Sequence, residues 1–355
     1  MTGTLRDARI GYAGYSPDFS APGDRRRFCA YAAHRGLRFE RAQLDRPYDV
    51  VLITHNADIP AWVARKKREG GRLTLLFELI DSYFTRTGLV HRLAKGSGRF
   101  ALGIESRLSP DFLGTLRQAC KAADAVICST EEQWRSIAPL NGNVVISFDE
   151  FGDELGVPKR DYGAGERFRL VWEGQSTTLF SLASIAQALN ALGDRIELHV
   201  VADPLIYRHF GHFGASPAMD SLRAIQCPMV FHPWERSTFT RQIVEADAAL
   251  VPMDISDSMV LGKPENKLVM LWKLGMPVLA GWTPAYERAM ASAGLEQLCR
   301  SESDWITRTE QLMAMAPGER EQVARRGRDY AEQAYSRENF VARFDAAFRA
   351  AGLAV

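Results

Sequence analysis

Residues 263–267 bring two lysines, a glutamate and an asparagine together (Lys263, Glu265, Asn266 and Lys267), directly ahead of an apolar stretch. Side chains of these types at this spacing suit an anion. Pro264 fits the first position of a helix, where a missing N–H has no intrahelical partner to lose. Leu268, Leu271, Trp272 and Gly275 then recur at helical spacing, Gly275 closes the turn, and Pro277 to Ala280 read as a short buried strand. The first N–H groups of such a helix point outward with partial positive charge, so they favour a diphosphate. The two lysines add full charges. A nucleotide-activated substrate is the expected ligand.

Three other loops carry candidate chemistry. After a strand at 168–172, Gly174 would let the backbone come close to a ligand, and Ser176, Thr177 and Thr178 supply hydroxyls for phosphate. A plain capped turn accounts for the same residues equally well. The loop at 14–27 mixes Gly, Asp and Arg in a way that suits an acceptor, with Asp18 or Asp24 as a general base, or Asp24 as a helix cap. His55 follows a central strand, where it could orient a sugar or take a proton, and Glu78 and Asp81 place two carboxylates after the next strand.

These loops need a scaffold, and the chain alternates short apolar runs with helical patterns in two series. Strands are expected at 9–13, 48–54, 73–77, 125–128 and 144–148, with helices at 26–34, 59–69 and 130–138. A Gly- and Pro-containing linker at 149–166 separates them from strands at 168–172, 196–201, 229–232, 248–252 and 277–280. One helix carrying Leu182, Ile185, Ala186 and Leu189 should follow the first of these. The pattern predicts an α/β protein of two doubly wound, Rossmann-like parallel-sheet domains facing a cleft. The domains are 1–150 and 167–335, joined by 151–166, with a final helix at 336–355 whose Phe340, Phe344 and Phe348 pack back toward the first domain.

Composition is that of a globular protein, 46% apolar and 25% charged, and 355 residues suit two cores. No apolar run reaches the ~20 residues of a membrane span, and the opening residues lack the apolar core of a signal peptide, so a cytoplasmic protein is expected. Five scattered cysteines without a Cys-x-x-Cys pair argue against zinc or a disulfide framework. Residues 1–150 hold 22 Lys and Arg against 17 Asp and Glu, a balance of +5, while the remainder stands at 22 against 26, or −4. The basic half, with Arg25, Arg26, Arg27, Lys66, Lys67 and Arg68, suits peripheral contact with an anionic membrane face or a phosphate-bearing acceptor; a solvated surface accounts for it equally. No nucleic-acid partner is expected.

The run Glu265-Asn266-Lys267, followed by Gly275, Pro277 and Val278, resembles the donor-binding segment of GT-B glycosyltransferases, especially the retaining group called family 4. The resemblance implies a glycosyltransferase with a nucleotide-diphosphate sugar as donor, a glycan or lipid-linked acceptor in surface polysaccharide or glycolipid synthesis, and no further cofactor. It implies that loop 247–258 lines the donor sugar, with Ser256 and Ser258 near phosphate and Asp254 or Asp257 near a sugar hydroxyl. Those carboxylates are too far apart for the Asp-x-Asp metal motif, so no metal is implied. Two departures stand out. The paired glutamates of family 4 fall at Gly262 and Met270, leaving Glu265 as the nearest acid for the ribose. The usual Arg and Lys after the first strand of the second domain are missing, since no Lys or Arg lies between Arg169 and Arg195. Alternatives are a sugar-nucleotide epimerase of the same fold and an inert binding or scaffold protein.

Overall fold

The computed structural model describes residues 4–85, 97–207 and 214–355. The chain forms two compact units, one from Met1–Gly152, Leu261–Pro264 and Ser336–Val355, the other from Asp153–Val260 and Glu265–Tyr335.

Unit 1 is built on six parallel strands: β1 (Ile10–Ala13), β2 (Phe39–Arg41), β3 (Val50–Thr54), β4 (Thr74–Leu79), β5 (Ala125–Cys128) and β6 (Val144–Ile146), in the order β2-β1-β3-β4-β5-β6. Every residue of β3 and β5 is buried, as their unbroken apolar runs require when helices cover both faces. The strand order reverses between β1 and β3, the point of a doubly wound sheet where the loops leaving its strands diverge. The Ile59–Glu69 helix starts where Asp58 accepts from the Ala61 N–H, a side-chain cap that satisfies one orphan donor.

The helix expected at 26–34 begins at Phe28, after a separate single turn at Pro22–Arg25. Arg27 separates them, because its side chain turns into the core and pairs with Glu78 at 2.7 Å. The final helix, Arg337–Ala350, belongs to this unit. Phe340, Phe344 and Phe348 are fully buried, and Tyr31 stacks on the last two at 5.0 and 5.3 Å.

Unit 2 repeats the plan with β7 (Phe168–Glu173), β8 (Ile196–Ala202), β11 (Met229–Pro233), β12 (Ala248–Val251), β13 (Val278–Gly281) and β14 (Leu298–Cys299), in the parallel order β11-β8-β7-β12-β13-β14. A separate antiparallel hairpin joins β9 (Leu205–Tyr207) to β10 (Ala215–Pro217). Here the order reverses between β7 and β12. The single helix expected after β7 is broken into Leu179–Ala183 and Ala186–Leu192. The Thr178, Ser181 and Ser184 hydroxyls each donate to the carbonyl three residues earlier, which competes with the helical ladder at successive turns.

The Asn266–Lys273 helix starts after Glu265 as its N-cap, so Pro264 precedes the helix instead of opening it. Gly275, at φ 71°, ends it in the left-handed conformation that costs glycine little. The Gly275 and Met276 N–H groups return to the carbonyls of Trp272 and Leu271, closing the orphan acceptors of the last turn.

Candidate functional site

Gly174 and Ser176 lie on the loop leaving β7 and Asp254, Ser256 and Ser258 on the loop leaving β12, the two strands at which the order reverses. Lys267 lies in the first turn of the Asn266–Lys273 helix, and its Nζ reaches the end of β7, donating to the Glu173 carbonyl at 2.9 Å and pairing with the Glu173 carboxylate. Glu173 ends β7 directly after the apolar run Leu170-Val171-Trp172, and its side chain is only 10% exposed. Sequence reasoning passed over it. The one available signal is a charge at the last position of an apolar run beside a reversal point.

The other expected donor residues divide by what already holds them. At Gly174 a Cβ would fall 2.8 Å from the Trp172 ring, so the protein's own tryptophan demands the glycine. Ser176 is buried and donates to the Leu205 carbonyl at 2.8 Å, anchoring the β9 strand. Asp254 accepts from the Ser256 N–H and Asp257 from the Met259 N–H, each at 3.0 Å, so both carboxylates brace their own loop. Ser256 is exposed and Ser258 half-buried. Glu265 accepts a hydrogen bond from the Tyr335 hydroxyl, whose pKa is driven up by burial and by that carboxylate. Asn266 follows it at the first helical position. Lys263 falls with unit 1, on a segment tethered where the Thr130 hydroxyl and the Gln133 side-chain amide donate to the Gly262 carbonyl at 3.1 and 3.2 Å.

In unit 1 the β1/β3 reversal has its own polar cluster. His55 is buried, its Nε2 lies 3.2 Å from the Tyr83 hydroxyl, and its ring meets Tyr15 edge-on at 5.3 Å. Tyr83 also donates to Asp81 at 3.2 Å. When the Tyr83 hydroxyl proton points at Asp81, the Tyr83 oxygen accepts from His55 Nε2–H, giving a His55–Tyr83–Asp81 chain that ends on a half-exposed carboxylate.

Asp24 departs from the expectation of a free base or a helix cap. It is fully buried and accepts from the Tyr12 hydroxyl, the Tyr15 and Ser16 N–H groups and the Ser16 hydroxyl, at 2.7 to 2.9 Å. Those four bonds fill the carboxylate and fold the loop around it. Asp18 is exposed, and the hydroxyl and N–H of Ser20 hold its pKa below the usual carboxylate value, which weakens it as a base. Glu78 lies inside β4, fully buried, and pairs with Arg27, which also approaches Asp149 at 3.4 Å.

Much of the expected basic face is spent internally. Arg27 is in the core, Lys66 pairs with Asp124 at 2.6 Å, Arg25 donates to the Ser20 carbonyl at 2.8 Å and Arg26 lies over the Phe151 ring, while Lys67 and Arg68 are exposed. Burial pushes the Cys120, Cys128 and Cys299 thiols up to about 12, so they stay protonated at neutral pH. Among the described residues, no helix is long and apolar enough to cross a membrane.

Two doubly wound units of six parallel strands, each reversing at its first strand, make the architecture that of the GT-B glycosyltransferases. No protein-family model matches the chain, and no curated protein matches it in sequence. Solved structures do. HepE from Anabaena, in complex with UDP and glucose, superposes with a TM-score of 0.61 at 11% identity, over 97% of this chain and 92% of that one. WaaG, a glycosyltransferase involved in lipopolysaccharide biosynthesis, gives 0.57 at 14% identity, over 97% and 100%. Sucrose-phosphate synthase from Thermosynechococcus elongatus gives 0.59 at 12%, over 91% and 75%. At these identities the likeness is one of fold.

Proposed function

We propose that this chain is a glycosyltransferase that moves a sugar from a nucleotide-diphosphate donor to a glycan or lipid-linked acceptor, without a metal. The observation that supports it most is Lys267, a cation on the first turn of a helix, extended to the end of β7 at the reversal point of a parallel sheet. Ligands of doubly wound sheets sit at such points, and helix N–H groups together with a lysine favour a diphosphate. The charge that develops on the leaving diphosphate would be stabilised by these groups, which are oriented before reaction begins.

Unit 1 takes the acceptor on this reading. His55, in its chain with Tyr83 and Asp81, handles the proton, while Asp24 keeps the loop after β1 in shape. The structural neighbours fit this reading: HepE is complexed with UDP and glucose, and WaaG is involved in lipopolysaccharide biosynthesis. A role for this chain in surface polysaccharide or glycolipid synthesis, with peripheral attachment through exposed residues such as Lys67 and Arg68, belongs to the same proposal.

The test is titration of the full chain with UDP, GDP and CMP and their sugars, followed by product analysis with and without acceptor. Nucleotide-diphosphate binding with sugar transfer supports the reading. Interconversion of the nucleotide sugar without an acceptor would make the protein an epimerase. Absence of any nucleotide binding would leave a scaffold.

A further inference from the structure

The Lys267–Glu173 pair occupies the place that the reading above gives to the donor's diphosphate. Lys267 is 31% exposed and Glu173 10%, so the carboxylate is the more enclosed partner. No second cation compensates from the loop after β7, because no Lys or Arg lies between Arg169 and Arg195. The β12 loop adds Asp254 and Asp257, both committed to their own backbone. A phosphate arriving at Lys267 therefore meets a cation whose charge is already matched. It must exchange with Glu173.

Resting on that reading, we propose that Glu173 is a positioning residue that stands in for the donor's phosphates on Lys267 and sets how tightly any phosphate ligand is held there. With the site empty, the pair holds the lysine extended to the end of β7, so little side-chain freedom remains to be lost on binding. When a diphosphate arrives, Lys267 passes from a single carboxylate charge to a ligand of higher charge, and Glu173 moves aside. Breaking the pair costs the same whichever phosphate arrives, so the exchange lowers the affinity of every phosphate ligand by one common factor.

The experiment uses the full chain and calorimetric titration with inorganic pyrophosphate, UDP and UMP. Glu173→Gln keeps the shape and an acceptor for Lys267 but removes the charge. It is expected to tighten pyrophosphate, UDP and UMP alike, by roughly fivefold. Lys267→Ala should lose about tenfold or more, and adding Glu173→Gln to it should restore nothing. A residue with a purely structural role would not tighten binding when altered.

Unchanged or weaker pyrophosphate affinity in Glu173→Gln overturns the proposal, and so does failure of pyrophosphate to bind either form. If Glu173→Gln does not fold, Glu173→Asp withdraws the carboxylate by one methylene and should show the same tightening in smaller measure; no change there also overturns it. The two readings fail separately. Tighter pyrophosphate with no nucleotide preferred over it removes the glycosyltransferase and keeps the role of Glu173. Sugar transfer with weaker binding in Glu173→Gln does the reverse.

Discussion

Gly327 lies in the Pro317–Ala334 helix against the face of Trp272, and one added methyl group there probes the packing beneath the Lys267 helix. A Cβ built at Gly327 would fall 2.4 Å from Trp272 Cδ1, 2.5 Å from Nε1 and 2.7 Å from Cγ. Unbonded heavy atoms settle near ~3.5–4.0 Å, so ring and helix would have to part by about 1 Å. Trp272 is 1% exposed and has nowhere to go. Helix propensity alone favours Ala over Gly by about 1 kcal/mol in a helix interior. Overpacking a filled core costs about 1–3 kcal/mol, and contact with three ring atoms puts this site at the upper end. Gly327→Ala should therefore lose about 1–2 kcal/mol net, which for a unit of this size lowers Tm by roughly 2–8 °C. Urea and thermal unfolding of the full chain measure it. In a Trp272→Phe background, which opens space, the same change should become neutral or stabilising, and the double-mutant cycle isolates the contact. A Gly327→Ala protein about 1 kcal/mol more stable than wild type would refute the packing argument, because propensity alone would then have won.

Lys267→Ala should reduce stability as well as nucleotide affinity, by about 1–2 kcal/mol, since it strands the enclosed Glu173 carboxylate; Lys267→Ala/Glu173→Gln should recover most of that loss in urea melts. Arg27→Met removes the guanidinium shared by Glu78 and Asp149 in a fully enclosed site, and a loss of about 3–5 kcal/mol in denaturant unfolding is expected. His232 contributes a pH dependence. Burial, and then the adjacent His199, which itself bonds Glu197, lower its pKa below the ordinary value, with Glu245 opposing. The unfolded chain then binds more protons than the folded one between the two pKa values, so stability falls as pH drops below about 6.5 and is unaffected above it. His232→Phe should flatten that slope in unfolding curves taken from pH 5 to 7.5; an unchanged slope would exclude His232 as its source.

The parallel sheets were legible because strands covered on both faces are near-continuous apolar runs, as at 50–53 and Ala125–Cys128. The Ile59–Glu69 helix was legible to the residue because Asp58 and Gly70 mark its ends. Two of the four edge strands of these sheets were not. Phe39–Arg41 and Leu298–Cys299 are too short to show a period, and so is the Leu205–Tyr207 hairpin strand. In the candidate site, Lys267 announced itself through the turn that carries it. Its partner Glu173 did not, being 94 residues away along the chain. Glu265 was expected toward a ribose, yet the Tyr335 hydroxyl, 70 residues later, holds its carboxylate. Asp24 reads as a free acid in sequence only because the folding of Tyr12, Tyr15 and Ser16 around it is not a local property.

The closing helix also fixes the order in which the protein can mature on the ribosome. Phe340, Phe344 and Phe348 complete the core of unit 1, but they are translated after all of unit 2. Synthesis from Asp153 onward takes on the order of 10–40 s at roughly 5–20 residues per second. For that interval Tyr31 lacks both of the rings it stacks on, Phe344 and Phe348, and the nascent first unit presents an apolar face with no cover. The usual rule of amino-terminal domains folding first is inverted here, because the second unit can close while the first still waits. Premature termination anywhere in the final 20 residues would therefore injure the half of the protein made first.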